Sequence, residues 1–173
     1  MKTGTIGRAS CTVQAAPETL YALVSDVRRM GEWSPECRRC EWIDGATGPA
    51  VGARFKGSNR RALVRWSTKL RVVTADSGRE FAFVTIQGGH DETQWTYRFE
   101  PHPEGSTVIE TFEMMRDLPW YLRLAEITLM GVTDRKADLE SGMRATLARL
   151  KTAVEGGPGR TDIARPVDQI QGS

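Results

Sequence analysis

The sequence predicts an α+β fold, a curved antiparallel sheet of about seven strands wrapped around one long C-terminal helix, with two short helices after the first strand. Three observations carry this. Strand-like runs follow one another through the middle of the chain, separated by turn residues such as Asp44-Gly45, Ser77-Gly78 and Gly88-Gly89. From Leu63 to Thr74, Trp66, Thr68, Leu70 and Val72 alternate with Arg65, Ser67, Lys69 and Arg71, which gives one buried and one wet face. Near the end, Leu139, Met143, Leu147, Leu150 and Val154 recur at intervals of three and four, the apolar stripe of a helix.

Taken in order, Thr5 to Ala15 reads as a strand with Ala9, Cys11 and Val13 on one face. Pro17 suits a first helical turn and Glu18 the positive helix end, and Leu20, Leu23, Val24 and Val27 continue at helical spacing to about Ser25. A second short turn runs from Val27 to Glu32 and stops before Pro35, which disfavours helix at Ser34. Strands follow at Glu36 to Ile43, Ala53 to Arg60, Leu63 to Thr74, Glu80 to Gln87, Glu92 to Glu100 and Thr107 to Met115. Trp120 to Met130 reads as a short apolar helix or ordered loop rich in Trp120, Tyr121, Leu122, Leu124, Ile127 and Leu129. The closing helix spans about Thr133 to Glu155, capped by Thr133 or Asp134 and stopped by Gly156-Gly157-Pro158. Residues 1–155 form the expected domain and 156–173 a loose tail. One amphipathic helix cannot cover a flat sheet of this width, so the strands must curl around it and leave an interior between.

Composition narrows the function classes. Of 173 residues, 24 are basic and 22 acidic, a balance that gives no electrostatic reason to expect nucleic acid as a partner. No apolar run is long enough to insert stably in a bilayer, and MKTGTIGRASCTVQ is not a secretory signal, so a cytoplasmic protein is expected. Three cysteines cannot all pair. Cys37 and Cys40 form a CxxC, but positions three apart on a strand point to opposite faces, and ordinary core and surface cysteines are the preferred reading; no metal and no cofactor are expected. His90 and His102 fall at turns and read as solvated.

The words AAPETLYALVSDVRRMGEWSPE from Ala15 to Glu36, VGARFKGSNR from Val51 to Arg60, WSTKLRVV from Trp66 to Val73, WTYRFEP from Trp95 to Pro101 and LARLKTAVE from Leu147 to Glu155 resemble the START-like superfamily, also called SRPBCC or birch-pollen-allergen-like. Within it the chain looks most like the bacterial polyketide cyclase/dehydrase and lipid-transport branch, over Thr5 to Glu155. The resemblance implies a helix-grip fold with an internal hydrophobic cavity. It carries no catalytic motif across, because the superfamily includes carriers, cyclases and hydrolytic proteins.

The candidate site is therefore read from side chains expected to face that interior. Trp66, Trp95 and Tyr97 offer large walls with single polar handles, Asn59 and Thr68 small polar groups, and Leu139 and Met143 the helix side. On the last strand Glu110 either points inward with Val108, Phe112 and Met114, or lies in water while Ile109 and Thr111 face in. Inward, it would be protonated, paired or hydrated, and with Tyr97 could act in proton transfer or anchor a ligand. The expected function is binding or carriage of a hydrophobic small molecule such as a lipid, polyketide or aromatic metabolite. The alternative is a cyclase or dehydratase using the same cavity. The apolar segment 120–130 is open to three readings: a movable gate at the cavity mouth, a dimer contact that would make a homodimer, or ordinary packing.

Overall fold

A computed structural model describes residues 1–117, 128 and 131–156. Strand β1 (Ile6–Val13) leads into α1 (Pro17–Ser25), a 3-10 turn (Val27–Arg29) and α2 (Met30–Trp33). Six strands follow: β2 (Cys37–Ile43), β3 (Arg54–Arg61), β4 (Val64–Asp76), β5 (Glu80–Gln87), β6 (His90–His102) and β7 (Gly105–Met114). The long helix α3 (Arg135–Glu155) closes the described chain. The segment expected at Trp120 to Met130, apart from Thr128, and the tail beyond Gly156 lie outside the described residues.

All pairings are antiparallel, in the order β1-β7-β6-β5-β4-β3-β2. β2 to β7 form a meander, and β1 completes the sheet beside β7, with Ile6 opposite Glu113 and Val13 opposite Ser106. The seven-stranded sheet is curved and α3 packs on it, which is the helix-grip arrangement.

Local chemistry accounts for the boundaries. Pro17 begins α1 because a first-turn residue needs no backbone N–H. Asp134 caps α3 by accepting a hydrogen bond from the Ala137 amide at 3.1 Å. The β5–β6 link is a two-residue hairpin turn in which Gly88 and Gly89 both take positive φ (57° and 80°), a geometry matched to strand twist. That tight turn pairs Gln87 with His90, so β6 begins two residues before Glu92, and His90 and His102 are its exposed ends and not residues of separate turns.

The core lies between the concave face of the sheet and the helices. Met143, Leu147 and Leu150 of α3 are buried there, and β1 is the strand closest to that helix. The Lys151 ammonium donates to the Thr12 carbonyl oxygen at 2.6 Å, tying the helix to β1. Tyr21 of α1 meets Phe81 and Phe99 edge-on, with ring centroids 6.3 and 6.1 Å away. Trp33 at the end of α2 is buried, and the Arg29 guanidinium lies 5.4 Å from its ring centre.

Candidate functional site

The curved sheet does not close fully on α3. A cavity of about 1010 Å³ lies between the inner faces of β3 to β7, the first half of α3 and the start of β2. It runs from a floor of buried residues to a rim of exposed ones such as Arg60 and Lys69. Phe83 and Tyr97 line its inner side with ring centres 6.4 Å apart, and Phe55 packs against Phe83 at 5.3 Å in the core.

Most of the candidate residues are brought together here. Asn59, Trp66, Thr68, Trp95 and Tyr97 line the cavity from the sheet, with Glu110 beside them. Leu139 and Met143 line it from the helix. The Asn59 amide donates to the Thr68 hydroxyl at 3.3 Å, so these two form one polar spot on neighbouring strands. Phe112 is the exception. It is fully buried and stacks against Trp95 at 5.7 Å, but it does not line the cavity. The reason is its partner across β1: Gly7 stands opposite, and the Phe112 ring fills the space where a side chain on Gly7 would be. Register between the first and last strands makes Phe112 a core residue.

Glu110 faces inward. It is only 3 % exposed, and its Oε1 accepts a 2.7 Å hydrogen bond from the hydroxyl of Tyr97, the residue directly opposite on β6. Ile109 is buried as well, on the other face, so burial alone could not have separated the two readings. The second oxygen, Oε2, has no hydrogen-bond partner among the described residues. Burial pushes the Glu110 carboxyl up to about 8, against a smaller downward effect of the Tyr97 hydrogen bond. The acid is therefore mainly neutral at pH 7. Burial likewise drives the Tyr97 phenol well above its usual value, reinforced by the adjacent Glu110. Because Oε1 accepts from tyrosine, the carboxyl proton falls to Oε2.

Two features of the wall were not anticipated. Arg61 of β3 reaches Asp138 of α3 with two nitrogens, at 2.8 and 2.7 Å, and Glu36 at 3.0 Å, forming an ionic clasp beside the cavity. Cys37 and Cys40 both line the cavity, with their sulfurs 3.3 Å apart. The expectation that they point to opposite faces fails because β2 carries a bulge between Cys37 and Arg39, where the register against β3 slips by one residue. Among the described residues, no group of three or more His, Cys, Asp or Glu side chains is placed to hold a metal ion.

Residues 6–155 match the family described as polyketide cyclase/dehydrase and lipid transport. The chain belongs to that family. A polyketide-cyclase-like protein from Corynebacterium glutamicum, Cgl2372, is 31% identical over 90% of this chain and 94% of its own, with a TM-score of 0.59. Protein CV1439 from Chromobacterium violaceum is 16% identical over 87% of this chain and 97% of its own, at a TM-score of 0.64, a likeness of fold. So is that to DynU16, described as a putative protein of the dynemicin biosynthetic locus, at 16% identity and TM-score 0.59 over 88% of this chain and 48% of that one. No match was found among curated proteins. The family's description joins ring-forming and dehydrating chemistry with transport, so membership leaves the choice between them to the cavity itself. Among the described residues no helix is long and apolar enough to cross a membrane.

Proposed function

We propose that this member of the family binds a hydrophobic small molecule, of the lipid, polyketide or aromatic-metabolite kind, in the cavity between sheet and α3. One observation carries the reading: a cavity walled by aromatic and aliphatic side chains includes a neutral, buried acid with one oxygen unpartnered among the described residues. A buried polar atom left unsatisfied costs roughly 1–3 kcal/mol, and a ligand oxygen accepting from the Glu110 carboxyl would recover it. Asn59 and Thr68 supply a second polar contact.

The volume is at the upper end of the roughly 300–1,000 Å³ usual for small-molecule sites. Ten buried methylenes contribute about 8 kcal/mol before the losses of association, which gives micromolar affinity only where little ordering is needed. Trp66 and Trp95 are half-buried on the wall and would report occupancy by their fluorescence. The test is displacement of a fluorescent fatty acid from the purified protein, with native mass spectrometry across a panel of lipids and aromatic polyketides. Absence of binding to every member of the panel overturns the reading.

The Tyr97–Glu110 pair supports a second reading, a cyclase or dehydratase. An acid that keeps its proton at neutral pH and is oriented by a phenol can protonate a leaving hydroxyl, while the walls hold a reactive chain in a folded shape. Turnover of a cyclising or dehydrating substrate that is unchanged in Glu110→Gln removes that role.

A further inference from the structure

The β2 bulge has a consequence separate from the acid and the apolar walls. Without it Cys37 and Cys40 would face apart; with it both thiols lie on the cavity side, each 3 % exposed. A third sulfur joins them. The Cys40 sulfur lies 3.8 Å from Sδ of Met30, the first residue of α2, and Met30 lines the same cavity. The approach of α2 is itself specific. A methyl group on Gly31 would lie 2.7 Å from the carbonyl oxygen of Arg38, the bulge residue, so only glycine lets this helix rest on the bulge and bring Met30 beside Cys40. On the far side Gly57, opposite Cys40 on β3, carries no side chain, and a methyl there would contact the Cys40 sulfur at 3.5 Å. Space next to the sulfurs is thereby left open.

We infer that Cys37, Cys40 and Met30 form a binding site for a soft monovalent metal ion, Cu(I) in chemical class, in the wall of the cavity. Three sulfurs bound at about 2.3 Å to one ion in a plane stand about 4 Å apart, close to the 3.3 and 3.8 Å separations found. Thiolate and thioether donors select Cu(I) over harder ions, and a zinc tetrahedron lacks its remaining ligands among the described residues. Charge favours the same ion. One thiolate and one monovalent cation make a neutral unit, which a buried wall tolerates far better than a net charge. Binding displaces one thiol proton, which passes to solvent, and involves no change of oxidation state.

The test is anaerobic titration of the reduced full-length protein against the coloured Cu(I)–bicinchoninate complex, with circular dichroism to verify that every variant is folded. The expected result is one Cu(I) withdrawn per chain, with an ultraviolet thiolate-to-copper absorption band. Cys37→Ser and Cys40→Ser should each weaken binding by more than about 100-fold, beyond the effect of losing an outer-shell partner, and Met30→Leu by about 10-fold. Cys11→Ser, outside the cavity wall, should leave binding unchanged. Met30→Leu leaves β2 intact and decides the matter should a cysteine variant not fold. No withdrawal of copper, or withdrawal undiminished in Met30→Leu or in either cysteine variant, overturns the inference.

Discussion

Replacing Glu110 with glutamine should make the protein more stable at neutral pH, by an amount that grows with pH. In the unfolded chain the carboxyl titrates near 4.5, whereas in the folded protein burial holds it at about 8. Between those values the unfolded state releases a proton that the native state keeps, so stability falls as pH rises. The contribution of the neutral acid is complete below pH 4.5, is lost progressively up to pH 8, and changes no further above it. At about 1.4 kcal/mol per pH unit the whole loss is roughly 5 kcal/mol, of which about 3 kcal/mol has accrued by pH 7. Glutamine keeps the oxygen that accepts from Tyr97 and cannot ionise, so its profile lacks this decline. Urea unfolding of both proteins should show stabilities within about 1 kcal/mol of each other at pH 5. At pH 7 the glutamine variant should have its midpoint higher by on the order of 1–2 M. Other titrating groups are common to both proteins and cancel in the difference. Parallel profiles from pH 5 to 8 would refute the reasoning, because they would mean that Glu110 ionises in the native state as it does in water.

Three further perturbations probe the same architecture. Tyr97→Phe removes the hydrogen bond to Glu110 Oε1, so the acid should titrate above 8, read from its infrared carbonyl band, with a stability loss of roughly 1–3 kcal/mol; a downward move contradicts the assigned geometry. Arg61→Ala breaks the clasp to Asp138 and Glu36 and should cost about 1 kcal/mol at pH 7, since the partners are only partly buried. The Asp138 carboxyl is held below its usual value chiefly by Arg61, so the clasp's contribution is present at neutral pH and disappears as pH falls through that depressed value; acid-unfolding curves of the variant and parent should converge there. Gly7→Ala drives a methyl group into the Phe112 ring and should lower stability by about 1–3 kcal/mol in thermal unfolding, and an unchanged midpoint would show that the ring can move aside.

What could be read from the sequence follows the range of the interactions involved. The inner set Trp66, Thr68, Leu70 and Val72 declared itself because period-two alternation is local, and the α3 stripe did so for the same reason. Glu110 stood between two readings because β7 buries apolar residues on both faces, and only the cross-strand contact with Tyr97 separates them. Phe112 was misplaced because its surroundings depend on Gly7, more than a hundred positions earlier in the chain and across a pairing that no local pattern encodes. The sulfur cluster was hidden by the alternation rule itself: a bulge breaks the period by one residue, and nothing in CRRC announces it. The Arg61–Asp138 clasp joins residues 77 positions apart, beyond the reach of spacing arguments.

Strand β1 draws its support from segments late in the sequence, from β7 along one edge and from α3 across its face. During synthesis the hairpins from β2 to β6 can form from neighbours already made, but β1 must wait as an unpaired edge until nearly the whole chain has emerged. Closing that last seam is a long-range step with a high entropic cost, so it should set the pace of folding. The same seam means that losing α3 would strip the first strand of one of its two supports, while the meander could still assemble.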